Sequence, residues 1–252
     1  ATFVEVAGQQ IDEVKGTTTY ADQRLGFDLT ASQPKRSAKG SGSILLHPDH
    51  QEVHLEHLAL TTANQEWNIP QGEQATINYA HDSITVDKVR LVSGDQEIVA
   101  DGRFGQAGSK IQVKMSNVDL ARIDELLLRP PQFTGRLNAS ATIEGSREHP
   151  LVTGEFQVAG GGFRQFAYDS LAGTVRYQGS GATIDAKLQQ NATQWITAKG
   201  YLPTALFVAK KSDAATMPQS GHVEAEDGGG RIDLGVESSP VGLGILQGVR
   251  NE

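Results

Sequence analysis

Apolar and polar residues alternate along most of this chain. The clearest example is residues 137–143, where four apolar side chains alternate with Asn138, Ser140 and Thr142. A period of two is typical of a β-strand with one apolar and one polar face. The same period recurs at residues 25–29, 111–115, 156–158, 175–177, 184–188, 196–198, 223–225 and 232–236. Because Gly-rich turns separate these runs, the pattern predicts an all-β fold of many short strands.

Two segments interrupt the alternation and predict short helices. Residues 118–128 place four apolar side chains on one helical face, with Asn117 as the cap and Pro130 beyond the end. The second segment starts with Ser239 as its cap and runs through Leu246. Each follows a strand run, so we expect two short helices beside the strands.

One local motif occurs three times: a threonine, an aromatic residue three positions later, and an apolar-Asp pair after six more residues. The copies are Thr17, Tyr20 and Phe27-Asp28; Thr76, Tyr79 and Val86-Asp87; and Thr174, Tyr177 and Ile184-Asp185. The later two copies also match at Gln96 and Gln194, Ile98 and Ile196, Ala100 and Ala198, and Gly102 and Gly200. Such self-similarity predicts one repeated supersecondary unit, around residues 16–46, 75–129 and 173–248. The uneven spacing favours an elongated sheet with variable loops over a tight coil.

Composition narrows the function classes. The net charge of -8 provides no basic surface, which argues against nucleic acid as a partner. The absence of cysteine excludes disulfides, thiolate metal sites and a cysteine nucleophile. Since the 252 residues start without Met and contain no leader or long apolar run, we interpret residues 1–252 as one continuous fragment of a longer protein.

A cluster of histidines is the densest group of candidate metal ligands: His47, His50, His54 and His57, interspersed with Asp49, Glu52 and Glu56. On a helix three of these histidines would share a face, as zinc ligands can. The alternation of Val53 and Leu55 with polar residues favours a strand instead. A strand sends His54 and His57 to opposite faces. We therefore favour a solvated turn and strand over a metal site.

The remaining motifs do not predict catalysis. Gly242, Gly244 and Gly248 have the wrong spacing for a dinucleotide loop, and no nucleophile-elbow motif is present. The repeated aspartates Asp28, Asp87 and Asp185 each follow an apolar residue that points the other way, so we expect them on the polar face. The sequence thus predicts no catalytic residue, no metal and no cofactor, and a protein that is not an enzyme.

The order of elements in residues 135–203 resembles the periplasmic proteins of the TamB and AsmA-like family. The resemblance rests on the Gly-flanked strand GRLNASATIEG at 135–145, His149-Pro150, Gly154, the strand at 155–159, Gly161-Gly162-Phe163, the run YDSLAG at 168–173, Tyr177 and the closing Gly200-Tyr201-Leu202-Pro203. A looser version covers residues 16–102. The likeness therefore extends over most of the chain.

The resemblance implies a long sheet curled into an open trough with an apolar interior, in the periplasm of a bacterium. Proteins of this family are implicated in carrying phospholipid from the inner to the outer membrane and in outer-membrane biogenesis, with a partner of the Omp85 type. We expect the inner-membrane anchor and the partner-docking end to lie in parts outside this fragment.

The physical argument points the same way. Drawing a two-chain lipid through water exposes roughly thirty methylenes at 0.8 kcal/mol each, on the order of 20 kcal/mol. A continuous apolar groove removes most of this barrier and needs no catalytic group. We therefore predict an elongated, curled, taco- or solenoid-like antiparallel sheet with an apolar groove and two short helices. The predicted groove residues are Phe27, Ile77, Ile98, Ile111, Val113, Leu137, Ile143, Phe156, Val158, Val175, Ile184, Leu188, Ile196, Ile232 and Leu234.

Two alternatives remain open from the sequence. A structural or adhesive surface protein would close its sheets into a filled β-sandwich and would carry no lipid. A secreted carbohydrate-active enzyme would need clustered carboxylates and exposed aromatic platforms, for which Trp67 and Trp195 are the available tryptophans.

Overall fold

The computed structural model describes residues 2–6, 9–62, 65–126, 132–164, 166–203 and 231–240. These residues form sixteen strands and one short helix, α1 (Leu120–Leu126). The strands are β1 (Thr2–Val6), β2 (Gln9–Ala21), β3 (Arg24–Gln33), β4 (Arg36–Leu46), β5 (His50–Thr62), β6 (Glu66–Asn68), β7 (Ala75–Ala80), β8 (Ile84–Ser93), β9 (Gln96–Phe104), β10 (Lys110–Asp119), β11 (Phe133–Gly145), β12 (Pro150–Phe163), β13 (Phe166–Gln178), β14 (Gly181–Gln189), β15 (Trp195–Pro203) and β16 (Asp233–Ser238). The predicted all-β fold is confirmed.

All the described strands belong to one antiparallel sheet, in which each strand lies beside its neighbours in sequence. The exception is a strand in two pieces. Both β6 and β7 pair with β5 on one side and with β8 on the other, so together they occupy one position. Residues 69–74 form the insertion between the two pieces.

The described sheet is a single layer. Its substantial contacts join strands that are adjacent or next-adjacent in the sheet, or join α1 to β10 and β11. Few apolar side chains in the described part are fully buried: Trp67, Ile69, Ala75, Ile111, Val118, Val158 and Tyr168. A two-layer domain would hide one face of each layer against the other. This sheet instead leaves most of its apolar side chains only partly covered.

One long-range contact shows that the sheet curls. Arg147, in the turn between β11 and β12, donates from Nη2 to the Tyr79 hydroxyl at 2.6 Å and from Nη1 to the His81 carbonyl at 3.0 Å. Strands β8, β9 and β10 lie between β7, which carries Tyr79, and β11. In a flat sheet, four strand spacings would separate β7 from β11 by about 19 Å. The sheet therefore bends toward the face that carries Tyr79.

The helix starts later than predicted, and Asn117 is not its cap. Strand β10 continues to Asp119, whose Oδ1 accepts the N–H of Ala121 at 3.1 Å. Asn117 lies in a β-bulge with a φ of 53°, and its own N–H donates to the Asn138 side chain at 3.0 Å. The cap is therefore Asp119, because the bulge keeps Asn117 in the sheet. The end of the predicted helix at 127–128, the second predicted helix beyond Pro240 and the predicted strand at 223–225 lie outside the described residues.

The three copies of the repeated motif are three β-hairpins with the same register. Thr17 pairs with Asp28, Thr76 with Asp87, and Thr174 with Asp185. In each hairpin the motif's tyrosine lies three residues beyond the threonine, close to the turn. The repeated sequence thus encodes a hairpin whose turn lies at one constant edge of the sheet.

Candidate functional site

The strand register assigns every paired residue to one of two faces, because directly opposed residues in a sheet point the same way. One row of opposed residues crosses six strands and consists of Ala141, Gly154, Val175, Ile184, Gly200 and Leu234. The adjacent row on the opposite face contains Ser140, Glu155, Thr174, Asp185 and Lys199. We call the first the apolar face and the second the polar face.

Fourteen of the fifteen predicted groove residues lie together on the apolar face. They are Phe27, Ile77, Ile98, Ile111, Val113, Leu137, Ile143, Phe156, Val158, Val175, Ile184, Leu188, Ile196 and Leu234. Ile232 precedes β16, has no strand partner and is 50% exposed. The structure therefore does not bring Ile232 into this set.

The apolar face is open along much of its length. Of the fourteen residues, Ile111 and Val158 are buried, and the other twelve keep an intermediate exposure. On β13 and β14 the apolar-face side chains are half-buried, whereas most polar-face side chains are exposed. On these strands the protein's own side chains thus shield this face without burying it.

Residue size varies systematically across the apolar face. Two rows near the middle of β11–β15 are rich in small residues: Ala139, Ala141, Gly154, Gly173, Ala186, Ala198 and Gly200. The rows nearer the strand ends are mostly larger: Ile143, Val152, Tyr177, Ala182 and Leu202 on one side, and Leu137, Val158, Leu171, Leu188 and Ile196 on the other. We call the strip of small residues the floor, the two rows of larger residues its rims, and the whole strip across the strands the groove.

The two rims of this groove differ chemically. Tyr20, Tyr79 and Tyr177 lie on the apolar face near the turns at one edge, and Arg147 crosses to Tyr79 with its guanidinium carbon 5.2 Å from the ring centre. Tyr20 is 66% and Tyr79 44% exposed. We call this edge the tyrosine rim. The opposite edge, formed in β11–β15 by the leucine, valine and isoleucine row, is the aliphatic rim.

The tyrosine rim and the small floor were not among the residues predicted from the sequence. The signal for the tyrosines was present, since all three belong to the repeated motif, but the period-two argument ranks large aliphatic residues first. Glycine was taken to indicate turns, and the alanines of residues 137–143 were counted only as apolar strand positions. Arg147 carries no local signal, because its partner Tyr79 is 68 residues away in the chain.

Strands β5–β7 contain a region where the apolar face is filled. Trp67 is 1% exposed and lies beside the buried Ile69 and Ala75, at the point where the strand is interrupted. A ring buried in this way offers no platform to a sugar. Trp195 lies on the polar face, with the Lys187 ammonium 5.8 Å from its ring centre. The pair therefore does not form the exposed platforms that a carbohydrate-active site requires.

The histidine cluster differs from its prediction. His54 pairs with Ser43 and His57 with Ser41, and both serines lie on the polar face. A β-bulge in β5 at Glu56 inserts one residue, so His54 and His57 share a face and the expectation of opposite faces is wrong.

Within this cluster one carboxylate joins two imidazoles. Glu52 lies 3.3 Å from His50 Nε2 through Oε1 and 3.1 Å from His54 Nε2 through Oε2. The hydrogen bond between His50 and Asp49 raises the pKa of His50 and lowers the pKa of Asp49. The hydrogen bond with His54 lowers the pKa of Glu52, because it stabilises the charged carboxylate.

The repeated aspartates lie where the sequence predicted. Asp28, Asp87 and Asp185 are exposed on the polar face, on three separate hairpins, and Asp185 forms an ion pair with Lys199 at 2.8 Å. A depression of about 630 Å³ on the same face lies between Lys114, Glu155 and other polar side chains. Within the described residues these carboxylates do not converge as a catalytic pair.

Within the same residues, no helix combines the length and the apolar character needed to cross a membrane. Among protein-family models, curated proteins and solved structures, none matches this chain.

Proposed function

We propose that this chain is a segment of a bridge-like lipid-transport protein of the TamB and AsmA-like kind, holding phospholipid acyl chains between the inner and outer bacterial membranes. One observation carries the proposal. The apolar face continues from β3 to β16, and outside the filled region around Trp67 most of its predicted groove residues keep an intermediate exposure. A protein that needed only a stable core would fill such a surface.

Continuity along the sheet supports transport rather than binding at one point. A lipid that leaves one strand's apolar residues meets those of the next strand about 4.8 Å further on. Each methylene exposed to water costs about 0.8 kcal/mol. Several consecutive strands without apolar residues would therefore stop the movement of an acyl chain. The described register contains no such gap in the polarity of the face between β3 and β16.

The asymmetric rims indicate how an amphiphile would lie. Tyrosine combines an apolar ring with a hydroxyl that remains hydrated, and it is favoured where an apolar region meets water. The phospholipid headgroup and its ester groups would therefore lie along the tyrosine rim, near Arg147. The acyl chains would lie on the small-residue floor and against the aliphatic rim.

This function requires no catalysis, and we propose a periplasmic location. The anchor in the inner membrane and the Omp85-type partner at the outer membrane would be supplied by regions beyond this segment. Through them the segment would support outer-membrane biogenesis.

Replacing Ile184 by arginine tests the proposal. Ile184 lies in the middle of the groove, and a charge there must be desolvated when an acyl chain passes over it. We expect the Ile184→Arg chain to bind a fluorescent phospholipid about tenfold or more weakly. The adjacent Thr183→Arg variant places the same charge on the polar face and should bind like the unmodified chain. Equal phospholipid binding by both variants would contradict the proposal that the groove holds the acyl chains.

A second pair of variants separates blocked volume from added charge. Ala186→Trp raises the groove floor while keeping it apolar, whereas Ala172→Trp adds the same ring to the exposed polar face. We expect only the first to reduce the phospholipid that mass spectrometry detects in an organic extract of the purified chain. If the unmodified chain carries no lipid and binds none, a structural or adhesive role replaces the proposed one.

A further inference from the structure

The histidine cluster lies at the turn between β4 and β5, at the same edge of the sheet as the tyrosine rim, with His50 and Glu52 on the polar face. His47 precedes the turn, His50 starts β5, and Glu52 follows two residues later on the same strand. One ligand atom from each of these three residues lies within 4.8 Å of the other two. The His47 and His50 rings stack with their centres 4.3 Å apart and their planes 17° from parallel.

These separations fit a single small cation. Two ligand atoms at about 2.1 Å from a tetrahedral zinc ion are about 3.4 Å apart. The distance between His50 Nε2 and Glu52 Oε1 is 3.3 Å, so this pair already has that separation. His47 is exposed in the turn, and rotation of its side chain can bring its nitrogen closer.

An outer layer of hydrogen bonds holds two of the three ligands. Asp49 Oδ1 lies 2.9 Å from His50 Nδ1, which leaves Nε2 to face Glu52. A carboxylate on the far nitrogen is the usual arrangement around a metal-binding histidine. Asn78 donates to Glu52 Oε1 at 3.4 Å, and the Thr76 hydroxyl lies 3.3 Å from His54 Nδ1.

We propose that His47, His50 and Glu52 form a binding site for a borderline transition-metal ion, represented by Zn²⁺. Two imidazoles and one carboxylate are a donor set that favours zinc over the hard cations Ca²⁺ and Mg²⁺. His54 adjoins the site through Glu52 and is placed to serve as an alternative nitrogen donor. A bound ion would join the β4–β5 turn to the start of β5, on the polar face of the sheet.

Calorimetric titration of the chelator-treated chain with zinc chloride tests the site. We expect saturation at about one zinc ion per chain, and no comparable heat with calcium chloride. His50→Ala should weaken zinc binding by about tenfold or more. His57→Ala is the matched control, because His57 lies on the same strand and face but outside the group of three ligands. It should leave the zinc affinity unchanged.

Glu52→Gln provides a second variant that keeps side-chain size and the contact with Asn78. It should weaken zinc binding as well, while circular dichroism of the metal-free variants reports whether each one folds. Equal zinc affinity in the unmodified, His50→Ala and Glu52→Gln chains would overturn the proposal. So would a loss of affinity in His57→Ala equal to that in His50→Ala, because it would indicate unspecific binding to surface histidines.

Discussion

The region around Trp67 and the region around Phe156 follow the same alternation of apolar and polar residues, yet one is filled and the other is open. Trp67 is buried with Ile69 and Ala75, whereas Phe156 keeps an intermediate exposure between Ala139 and Gly173. The period of two decides which face a side chain takes. The volume of its cross-strand neighbours decides whether that face becomes a core or a groove.

We expect the greatest loss of stability from a substitution in the filled region. Trp67→Ala removes a fully buried ring and leaves a cavity, so we expect the free energy of unfolding to fall by about 3–5 kcal/mol. Phe156→Ala removes a ring of the open floor, and the fall should be about 1 kcal/mol. Urea denaturation followed by circular dichroism measures both. Equal losses would mean that the floor is packed as tightly as the Trp67 region.

A substitution at a glycine of the groove floor tests how closely neighbouring strands approach each other. Gly200 lies on the floor with a φ of 152°, and a Cβ there would lie 2.0 Å from the Asp233 carbonyl oxygen of the next strand. We expect Gly200→Ala to lower the free energy of unfolding by about 3 kcal/mol through backbone strain and displacement of β16.

Gly235 is the matched control for Gly200, because it lies on the partner strand and a Cβ there would meet its nearest atom at 3.5 Å. Gly235→Ala should change the free energy of unfolding by less than about 0.5 kcal/mol. The same denaturation experiment compares the two. A tolerated alanine at position 200 would contradict the described close approach of β15 and β16.

The smallest expected effect concerns the contact across the tyrosine rim. Arg147→Ala removes a partly exposed cation–π contact and two hydrogen bonds, and we expect a loss of about 0.5–1 kcal/mol. Because the chain has no cysteine, spin labels can be attached specifically at Asp82→Cys and Glu148→Cys. The distance between the labels should lengthen when Arg147 is replaced. An unchanged distance would show that the curl does not depend on this contact.

Local sequence predicted the faces of the regular strands well, and it failed at the bulges. Ile184 and Leu188 take the expected face because nothing interrupts the alternation of β14. At Glu56 and Asn117 an extra residue reverses the alternation, and no local residue type announces it. Whether a bulge forms depends on the partner strand, which a single strand's sequence does not contain.

Dependence on the partner strand also explains why the small floor and the contact of Arg147 with Tyr79 were not predicted. The sequence predicted that apolar residues share a face, but the low floor arises from the opposition of small residues on different strands, such as Ala141 with Gly154 and Ala186 with Ala198. The contact between Arg147 and Tyr79 likewise depends on the bend of the sheet between β7 and β11. Both are properties of register and curvature, which follow only from the paired strands.

The hairpin organisation of the sheet sets how the length of the sheet can change. Apart from the contact of Arg147 with Tyr79 and His81, the substantial contacts of the described sheet join near neighbours, so a hairpin elsewhere can be inserted or deleted without rebuilding distant interactions. Each such event alters the span by two strands, or about 10 Å, and returns the chain to the edge from which it left. Insertion of a lone strand would instead reverse the direction of every strand that follows and move the tyrosines to the other side. Under the proposed function, evolution can therefore match the length of such a sheet to the distance between two membranes in discrete increments, with the tyrosines kept at one edge.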